Sequence, residues 1–518
     1  MNAKATSYNR RWWMLPVLSL SLLLIEVDMT IVNVALPTIQ REFGSSASTI
    51  QWLVDSYVLV FAGMLLFMGS IGDRFGRKRA LQVGLVLFAV ASAAGAQAAN
   101  IEQLIVARLA MGAAAALIMP ATLAIIVDAF PQEEQLKAIA VWSGAAVLGV
   151  PTGPVLGGWL LSQFYWGSVF YVVVPVAAVA LVAGLFLVPE SRDPRPARFD
   201  WLGALLSVGV LSAFVYAIIE APEQGLLAAG VDGAFVAAAA LALAFVLHEL
   251  RTPDPLLDVR LFLNRGLSVS YAAITLTFGS MVGMLFLLTQ YFQFAQGYSP
   301  LQSGLRTGPM AFGFVVGAAF ADKLVKRYSA RKIMTAGLLL VAAAFAAVSQ
   351  AVGDAPFAAL AASLFAVGFS LSFVVTPATA SVMAAVPGRN VGVGSALNDT
   401  ARQVGAALGI AALGSLAKAF YAAQVAVPAG LPPAMAAPAK DSVGGANAVA
   451  GSVGGALGDA LQSAAAGAFA DATAVAMIAA AAVALVIAAI VMHLMPASDE
   501  SAEVSPVPEA EFAGVAPE

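Results

Sequence analysis

Long apolar segments recur along the chain, separated by short segments that carry charge, glycine or proline. Each is close to the roughly 20 residues that a helix needs to cross about 30 Å of bilayer hydrocarbon. The apolar residues are continuous rather than alternating, which favours helices over barrel strands. The pattern predicts an all-α polytopic membrane protein with about fourteen spans, at 14–37, 50–70, 80–98, 102–126, 138–161, 168–188, 201–220, 230–249, 267–291, 303–321, 332–351, 356–383, 395–417 and 473–495.

Composition supports this prediction. Hydrophobic residues make up 60% and charged residues 11% of the 518 residues, which is more apolar surface than a soluble domain can bury. The absence of cysteine excludes disulfides and thiolate metal sites. His248 and His493 fall at predicted helix ends, and we expect no metal. The first apolar segment contains Glu26, Asp28 and Asn33 and lacks a small-residue cleavage site, so we expect a retained helix and not a signal peptide.

The distribution of positive charge predicts the orientation. Lys and Arg collect in cytoplasmic loops. One side of the predicted membrane receives the N-terminal charges and those of the loops after the even-numbered helices. The other side receives only Arg41, Lys418 and Lys440. We therefore expect both termini in the cytoplasm.

An internal repeat divides the chain. The segment 69–78 follows the second predicted helix and the related segment 317–332, which contains Asp322, follows the tenth. This pairs helix 1 with helix 9 and predicts two six-helix bundles with helices 7 and 8 inserted between them, the layout of a secondary transporter. The predicted divisions are an N-terminal tail (1–13), a first bundle (14–189), an insertion (190–266), a second bundle (267–495) whose outward loop (418–472) is a flexible or partly helical cover, and a disordered acidic cytoplasmic tail (496–518).

Four motifs resemble those of the major facilitator superfamily, and in particular its fourteen-helix drug:proton antiporters. The segment Gly69-x3-Asp73-Arg74-x-Gly76-Arg77-Lys78 is similar to the family's signature loop. The first-helix motif is matched by Asp28-x-Thr30-x2-Asn33-x3-Pro37. In helix 4, Arg108-x3-Gly112 resembles the buried-arginine motif. The antiporter motif of helix 5 is matched by Gly149-x3-Gly153-Pro154-x2-Gly157-Gly158.

The resemblance extends over residues 12–495 and implies a monomeric exporter in the bacterial inner membrane. The segments Trp52-x2-Asp55-x-Tyr57 and 164–170 are most similar to the quaternary-ammonium and biocide exporters of this branch, whereas the segment 396–403 resembles other members. The implied activity is multidrug efflux, which confers antibiotic and biocide resistance.

Charged residues inside the spans are the candidates for the transport chemistry, because an ionised group costs several kcal/mol in hydrocarbon. At 1.5 Å per residue, Asp28, Asp55 and Arg108 share one layer in the outer half of the membrane. Glu26 projects from another side of its helix than Asp28. Our hypothesis is that Asp28 exchanges a proton for a cationic substrate and that Asp55 assists. The alternative is that Asp28 and Arg108 form a static packing pair.

The remaining motifs have two interpretations each. Gly149, Gly153 and Gly157 recur every four residues and predict close helix packing, with or without a role in preventing leaks. The acidic and basic residues of 69–78 predict a cytoplasmic gating latch or charge that merely sets topology. Asp399 and Arg402 lie three residues apart near the start of helix 13 and predict a local ion pair or stabilisation of the first turn of that helix.

The sequence lacks a nucleotide-binding loop, which bears on the energy source. No Gly-x4-Gly-Lys-Ser/Thr loop occurs, so ATP is not expected, and neither is any other cofactor. We predict a proton-driven exporter of lipophilic cations such as quaternary ammonium biocides, dyes and antiseptics, without a nucleic-acid partner. The alternatives are an exporter of a metabolite, siderophore or lipid precursor, and a non-transporting membrane protein or intramembrane enzyme. A periplasmic adaptor on the 418–472 loop is a further open alternative.

Overall fold

The computed structural model of the protein describes residues 2–192, 200–225, 228–253, 255–353, 355–385 and 391–496. The acidic tail predicted to be disordered lies outside these ranges from residue 497 onwards. The long helices before the cap region are α1 (Asn2–Phe43), α2 (Ala47–Phe75), α3 (Arg77–Ala96), α4 (Ile101–Ala129), α5 (Gln132–Gln163), α6 (Ser168–Leu187, with a turn at Val172), α7 (Trp201–Gln224), α8 (Ala229–Arg251), α9 (Arg265–Gln290), α10 (Pro300–Arg327), α11 (Ala330–Ala351), α12 (Phe357–Ala385) and α13 (Val391–Gln424). Two short helices, α14 (Pro433–Asp441) and α15 (Val443–Val453), precede the long α16 (Gly455–Leu494).

Within the described ranges, thirteen helices are long and apolar enough to cross a membrane. They are α1 to α4, α6 to α13 and α16. The remaining long helix, α5, packs along α1. The all-α polytopic fold predicted from the sequence is therefore confirmed.

The two halves of the protein use one packing scheme. In the first half, α1 packs on α5, while α2 and α3 pack on α4. In the second half, α9 packs on α13, while α10 and α11 pack on α12. Each contact recurs after a shift of eight helices, as expected of an internal repeat with two inserted helices.

Glycines bring α9 and α13 into close contact. A Cβ atom on Gly405 would collide with the backbone carbonyl of Thr275, and one on Gly409 would collide with the carbonyl of Gly279. A Cβ atom on Gly283 would lie 2.5 Å from the Gly409 carbonyl oxygen. Small residues permit this approach of two backbones, in which van der Waals packing holds membrane helices together.

The inserted helix α7 covers the seam between the two halves, because it packs against both α2 and α13. The Ser207 hydroxyl donates to the Gly63 carbonyl at 2.8 Å, and a Cβ atom on Gly63 would lie 2.7 Å from Val208. At the end of the helix, the rings of Trp201 and Phe67 are 4.6 Å apart. Helix α7 is thus packed against the helices of both halves.

A polar cluster fixes the start of the insertion. Asp200 caps α7, accepting from the Gly203 amide at 2.7 Å and from His248 Nε2 at 2.6 Å. Burial acts to raise the pKa of Asp200, but these hydrogen bonds outweigh it and hold the pKa below its usual value. Glu249 accepts from the Leu257 amide at 3.0 Å. The cluster therefore joins α7, α8 and the linker that leads to α9.

The helices α14 and α15, which we call the cap, lie over one end of the bundle. The cap contacts both halves: the Gln40 amide donates to the Ser442 hydroxyl at 3.1 Å, and Lys418 pairs with Asp441 at 3.1 Å. Much of the predicted outward loop is therefore helical. The last membrane helix begins at Gly455, well before the predicted residue 473.

A π-helical turn, Tyr291–Ala295, ends α9 beneath the cap. The Gln293 amide donates to the Val34 carbonyl of α1 at 2.7 Å, and the Asn447 amide of the cap donates to the Phe294 carbonyl at 2.8 Å. This turn therefore joins the second half to both α1 and the cap.

The contact between α9 and α13 predicts a sharp difference between two glycine variants. Gly409→Val should destabilise the protein by about 1–3 kcal/mol, because the new side chain collides with the α9 backbone. Gly451→Val in the cap has no atom within 4 Å of the added Cβ and should be near neutral. Thermal unfolding in detergent tests both variants. Equal unfolding temperatures for the two would contradict the proposed contact.

Candidate functional site

A buried ion pair lies between α1 and α4. Arg108 Nη1 donates to Asp28 Oδ2 at 2.6 Å, and both side chains are completely buried. The guanidinium carbon lies 4.1 Å from the centre of the Tyr57 ring, and Arg108 Nε donates to the Leu53 carbonyl at 3.4 Å. Thus Asp28 and Arg108 meet, as the depth argument led us to expect, and α2 supplies further contacts. Neither the Tyr57 ring nor the Leu53 carbonyl was predicted from the sequence to contact Arg108.

Asp55 projects from a different face of α2 and does not join this pair. It is fully buried, and neither carboxylate oxygen has a hydrogen-bond partner among the described residues. One turn earlier on the same helix, the Gln51 amide donates to the Ile410 carbonyl of α13 at 3.3 Å. Residues four apart share a helix face, so Asp55 lies on the side of α2 that faces α13 and the second half.

Glu26 contacts α5 and interacts with charges of the second half. A Cβ atom on Gly149 would lie 2.6 Å from the Glu26 Cβ atom. The Glu26 carboxylate is near enough to Arg402 and Asp399 of α13 to interact electrostatically with both. Arg402 also lies over the Phe278 ring of α9, 5.9 Å from its centre. Asp399 and Arg402 were predicted as a local pair, and in the structure both lie close enough to the Glu26 carboxylate of the other half to interact with it.

The helix 5 motif packs against the helix 1 motif. A Cβ atom on Gly153 would collide with the Thr30 side chain, and one on Gly157 would lie 2.7 Å from Ile31. The Thr30 hydroxyl donates to the Glu26 carbonyl at 3.0 Å. These glycines therefore set the distance between α1, which carries Glu26 and Asp28, and α5.

Other motif residues support this arrangement. The Asn33 amide donates to the Met29 carbonyl at 3.2 Å, and Pro37 lies within α1, where its carbonyl accepts from Arg41 Nε at 3.1 Å. On Gly69, a Cβ atom would lie 3.4 Å from Pro120 of α4. The first two contacts lie within α1, and the third brings α2 close to α4.

The signature loop docks on other parts of the first half. Arg77 pairs with Asp73 at 2.8 Å and with Asp128 at 3.6 Å, while Lys78 Nζ donates to the Leu185 carbonyl at 2.8 Å. These contacts join the α2–α3 loop to the ends of α4 and α6. Arg74 is the remaining basic residue of the motif and also has an interaction partner.

Gly76 is required at the break between α2 and α3. Its φ of +116° is a conformation that other residues rarely adopt. A Cβ atom there would also lie 2.6 Å from Glu190 Oε1, which accepts from the Lys78 amide at 3.2 Å. The side chain of Asp322, in the corresponding loop of the second half, lies outside the described residues.

The two halves approach each other closely beneath the cap. A Cβ atom on Gly158 of α5 would collide with Leu301 of α10, and one on Gly304 would collide with the Pro154 carbonyl. The contacts from Gln51 to α13 and from Gln293 to α1 lie at the same end of the bundle. The cap end of the interface is therefore closed.

The described side chains include no group of three or more His, Asp or Glu residues arranged to bind a metal ion. The charged groups between the halves are carboxylates and arginines. The carboxylates can bind and release protons and attract organic cations, whereas the arginines remain positively charged. The arrangement of two repeated helical bundles around buried carboxylates defines a secondary transporter.

Comparison with known proteins identifies the family. Residues 18–410 match the sequence profile of the Major Facilitator Superfamily, and the chain belongs to this family of transporters. It is 39% identical to the multidrug efflux pump LfrA of Mycolicibacterium smegmatis, over 85% of this chain and 88% of that protein. It is 32% identical to the methyl viologen resistance protein SmvA of Salmonella typhimurium, over 86% of this chain and 90% of that protein.

A solved structure supports the fold. A bacterial homologue of the human lysosomal transporter Spinster, in an inward-facing and unoccupied conformation, aligns with a TM-score of 0.63. The alignment covers 93% of this chain and 98% of that one, at 19% identity. This likeness supports the fold, while the profile match and the relatives confirm the family membership predicted from the motifs.

The buried ion pair predicts that stability depends on both partners together. Removing one partner of a buried pair costs about 3–5 kcal/mol, because it leaves a charge without compensation. We expect Arg108→Met to unfold at a markedly lower temperature than the wild type. The double variant Asp28→Asn/Arg108→Met should recover most of the loss. A double variant as unstable as the single one, measured by thermal unfolding in detergent, would show that Arg108 stabilises the fold independently of Asp28.

Proposed function

We propose that the protein is a proton-coupled multidrug antiporter that exports lipophilic cations across the bacterial inner membrane. In this proposal both termini and the α2–α3 loop face the cytoplasm, and the cap faces the outside. The protein works as a monomer, and its energy source is the proton gradient and not a cofactor. The names of the relatives, which include a multidrug efflux pump and a methyl viologen resistance protein, support drug export.

The observation that carries the proposal is the fully buried pair of Asp28 and Arg108. A protonated Asp28 is neutral and releases a cation, whereas an ionised Asp28 attracts one. Arg108 compensates the negative charge when neither a proton nor a substrate is bound. Competition between proton and drug for one carboxylate couples the two movements, because each must leave before the other binds.

The acidic character of the interface favours cationic substrates. Asp28, Asp55 and Glu26 are three carboxylates in or next to the space between the halves, and the first two are fully buried. Exchange of one monovalent cation for one proton moves no net charge and draws only on the pH gradient, whereas a dication needs further protons to be exported. More than one carboxylate therefore suits a transporter that accepts cations of different charge.

Liposomes that contain only the purified protein test this proposal. An acidic lumen should drive ethidium uptake into vesicles in which the cap faces the lumen, since protons leave as the dye enters. Asp28→Asn should reduce this exchange by at least about tenfold, which corresponds to about 1.4 kcal/mol of barrier. A protonophore should abolish the uptake in the wild type.

Asp232→Asn is a matched control, because Asp232 lies in the first turn of α8, away from the interface. We expect it to transport like the wild type. Full activity in Asp28→Asn would overturn the role of Asp28. Wild-type vesicles that exchange anionic siderophores or metabolites but no organic cation would overturn the proposed substrate class.

A further inference from the structure

A small cavity lies beneath the cap. Its volume is about 20 Å³, and its polar lining includes Gln51 of α2, Gln290 of α9, Lys418 of α13 and Asp441 of the cap. A cavity needs roughly 10–15 Å³ of such volume to hold one water molecule. The space is therefore large enough for a water molecule but far too small for an organic cation.

The inner wall of the cavity has an unsatisfied polar group. The Gln51 side chain is 1% exposed, and its Oε1 atom has no hydrogen-bond partner in the part of the chain that the structure describes. Its Nε2 atom is occupied by the Ile410 carbonyl at 3.3 Å. Buried polar groups are normally paired with protein or with ordered water. A water molecule in this cavity would satisfy Gln51 Oε1.

The outer wall of the cavity reaches the surface of the cap. Lys418 Nζ pairs with Asp441 Oδ1 at 3.1 Å, and the side chain of Asp441 is 29% exposed while that of Lys418 is 7% exposed. Asp441 Oδ2 also accepts from the Ala47 amide at 3.2 Å, at the first residue of α2. Asp441 therefore connects the solution on the cap side with the cavity.

Asp55 lies deeper in the bundle than Gln51, on the inner side of the cavity. It follows Gln51 by four residues, so it lies on the same face of α2 and about 6 Å deeper along the helix. Both of its carboxylate oxygens are buried without a partner among the described residues. A carboxylate with no protein donor is ready to receive a proton.

We propose that this cavity is a proton entrance, separate from the drug pathway, that loads Asp55 from the cap side. A proton from the solution passes Asp441 to the water held by Gln51. The water takes up this proton and releases one of its own towards Asp55, whose carboxylate becomes a neutral carboxyl group. The ion pair with Lys418 holds Asp441 in place. The inference rests on the proposed proton-coupled function and adds a route to it: the cap admits protons while it excludes organic cations.

The test uses the full-length protein in vesicles whose external buffer faces the cap. The external pH is lowered, and the protonation of Asp55 is monitored through its infrared carboxyl band. The band is assigned by its absence in Asp55→Asn. Gln51→Leu should slow the appearance of the band by at least about tenfold, because it removes the group that holds the water. Binding of ethidium, measured by fluorescence, should stay within about twofold of the wild type.

Gln40→Leu is the matched control. Like Gln51, Gln40 is a buried glutamine at the cap end of the bundle. It contacts Ser442 of the cap but does not line the cavity. It should leave the rate of Asp55 protonation unchanged. Equal rates in Gln51→Leu and the wild type, or equal slowing in Gln40→Leu, would overturn the entrance. Since the infrared signal needs no drug, it also separates the two proposals: wild-type vesicles that protonate Asp55 by this route but exchange no cation would refute the antiporter and not the entrance.

Discussion

A charge in the hydrocarbon layer must have a counter-charge or lose its own charge, and the core of this protein depends on that constraint. Arg108 meets the requirement for Asp28, and the Tyr57 ring and Leu53 carbonyl complete the surroundings of the guanidinium. Three helices, α1, α2 and α4, must keep their relative heights for these contacts to persist. The ion pair therefore fixes the geometry of the first half as well as its chemistry.

The need for a counter-charge is met differently at the interface between the two halves. Arg402 of α13 compensates the charge of Glu26, whereas the neighbouring Asp399 repels it, so the compensation of Glu26 comes from the other half of the protein. The distance between α1 and α13 changes whenever the halves move relative to each other. The compensation of Glu26 thus depends on conformation, whereas Arg108 and Asp28 belong to the same half. The counter-charge of Asp28 is therefore fixed, whereas the counter-charge of Glu26 changes as the halves move.

Much of the fold could be predicted because membrane helices leave a strong signal. Length and continuous hydrophobicity identified the spans, and the repeated loop after α2 and α10 identified the two halves. The cap was predicted only as a flexible or partly helical cover, because residues 433–453 are rich in Ala and Gly and carry few charges, a composition that fits a loop as well as a helix. The close contact of α9 and α13 was also missed, since the spacing of Gly405 and Gly409 acquires meaning only when the facing Gly279 is known.

The depth of the candidate residues in the membrane could be predicted, but the directions in which their side chains project could not. Counting residues along the helices placed Asp28 and Arg108 at one level, and they do meet. The same count placed Asp55 at that level, yet the rotation of α2 turns it away from Arg108. The interaction of Glu26 with α13 depends on how the two halves dock, which no single helix encodes. Gln51 could have been recognised from the sequence, because it is a polar residue one helical turn from the buried acid Asp55.

The π-helical turn at Tyr291–Ala295 has a consequence for how the closed end opens. Such a turn accommodates one more residue than an α-helical turn. If the surplus residue moved out of the turn, the side chains beyond it would swing by about 100° around the helix axis. Gln293 would then leave the Val34 carbonyl, and Phe294 would leave Asn447. A local unwinding of α9 would thereby detach it from both α1 and the cap without lengthening any other helix.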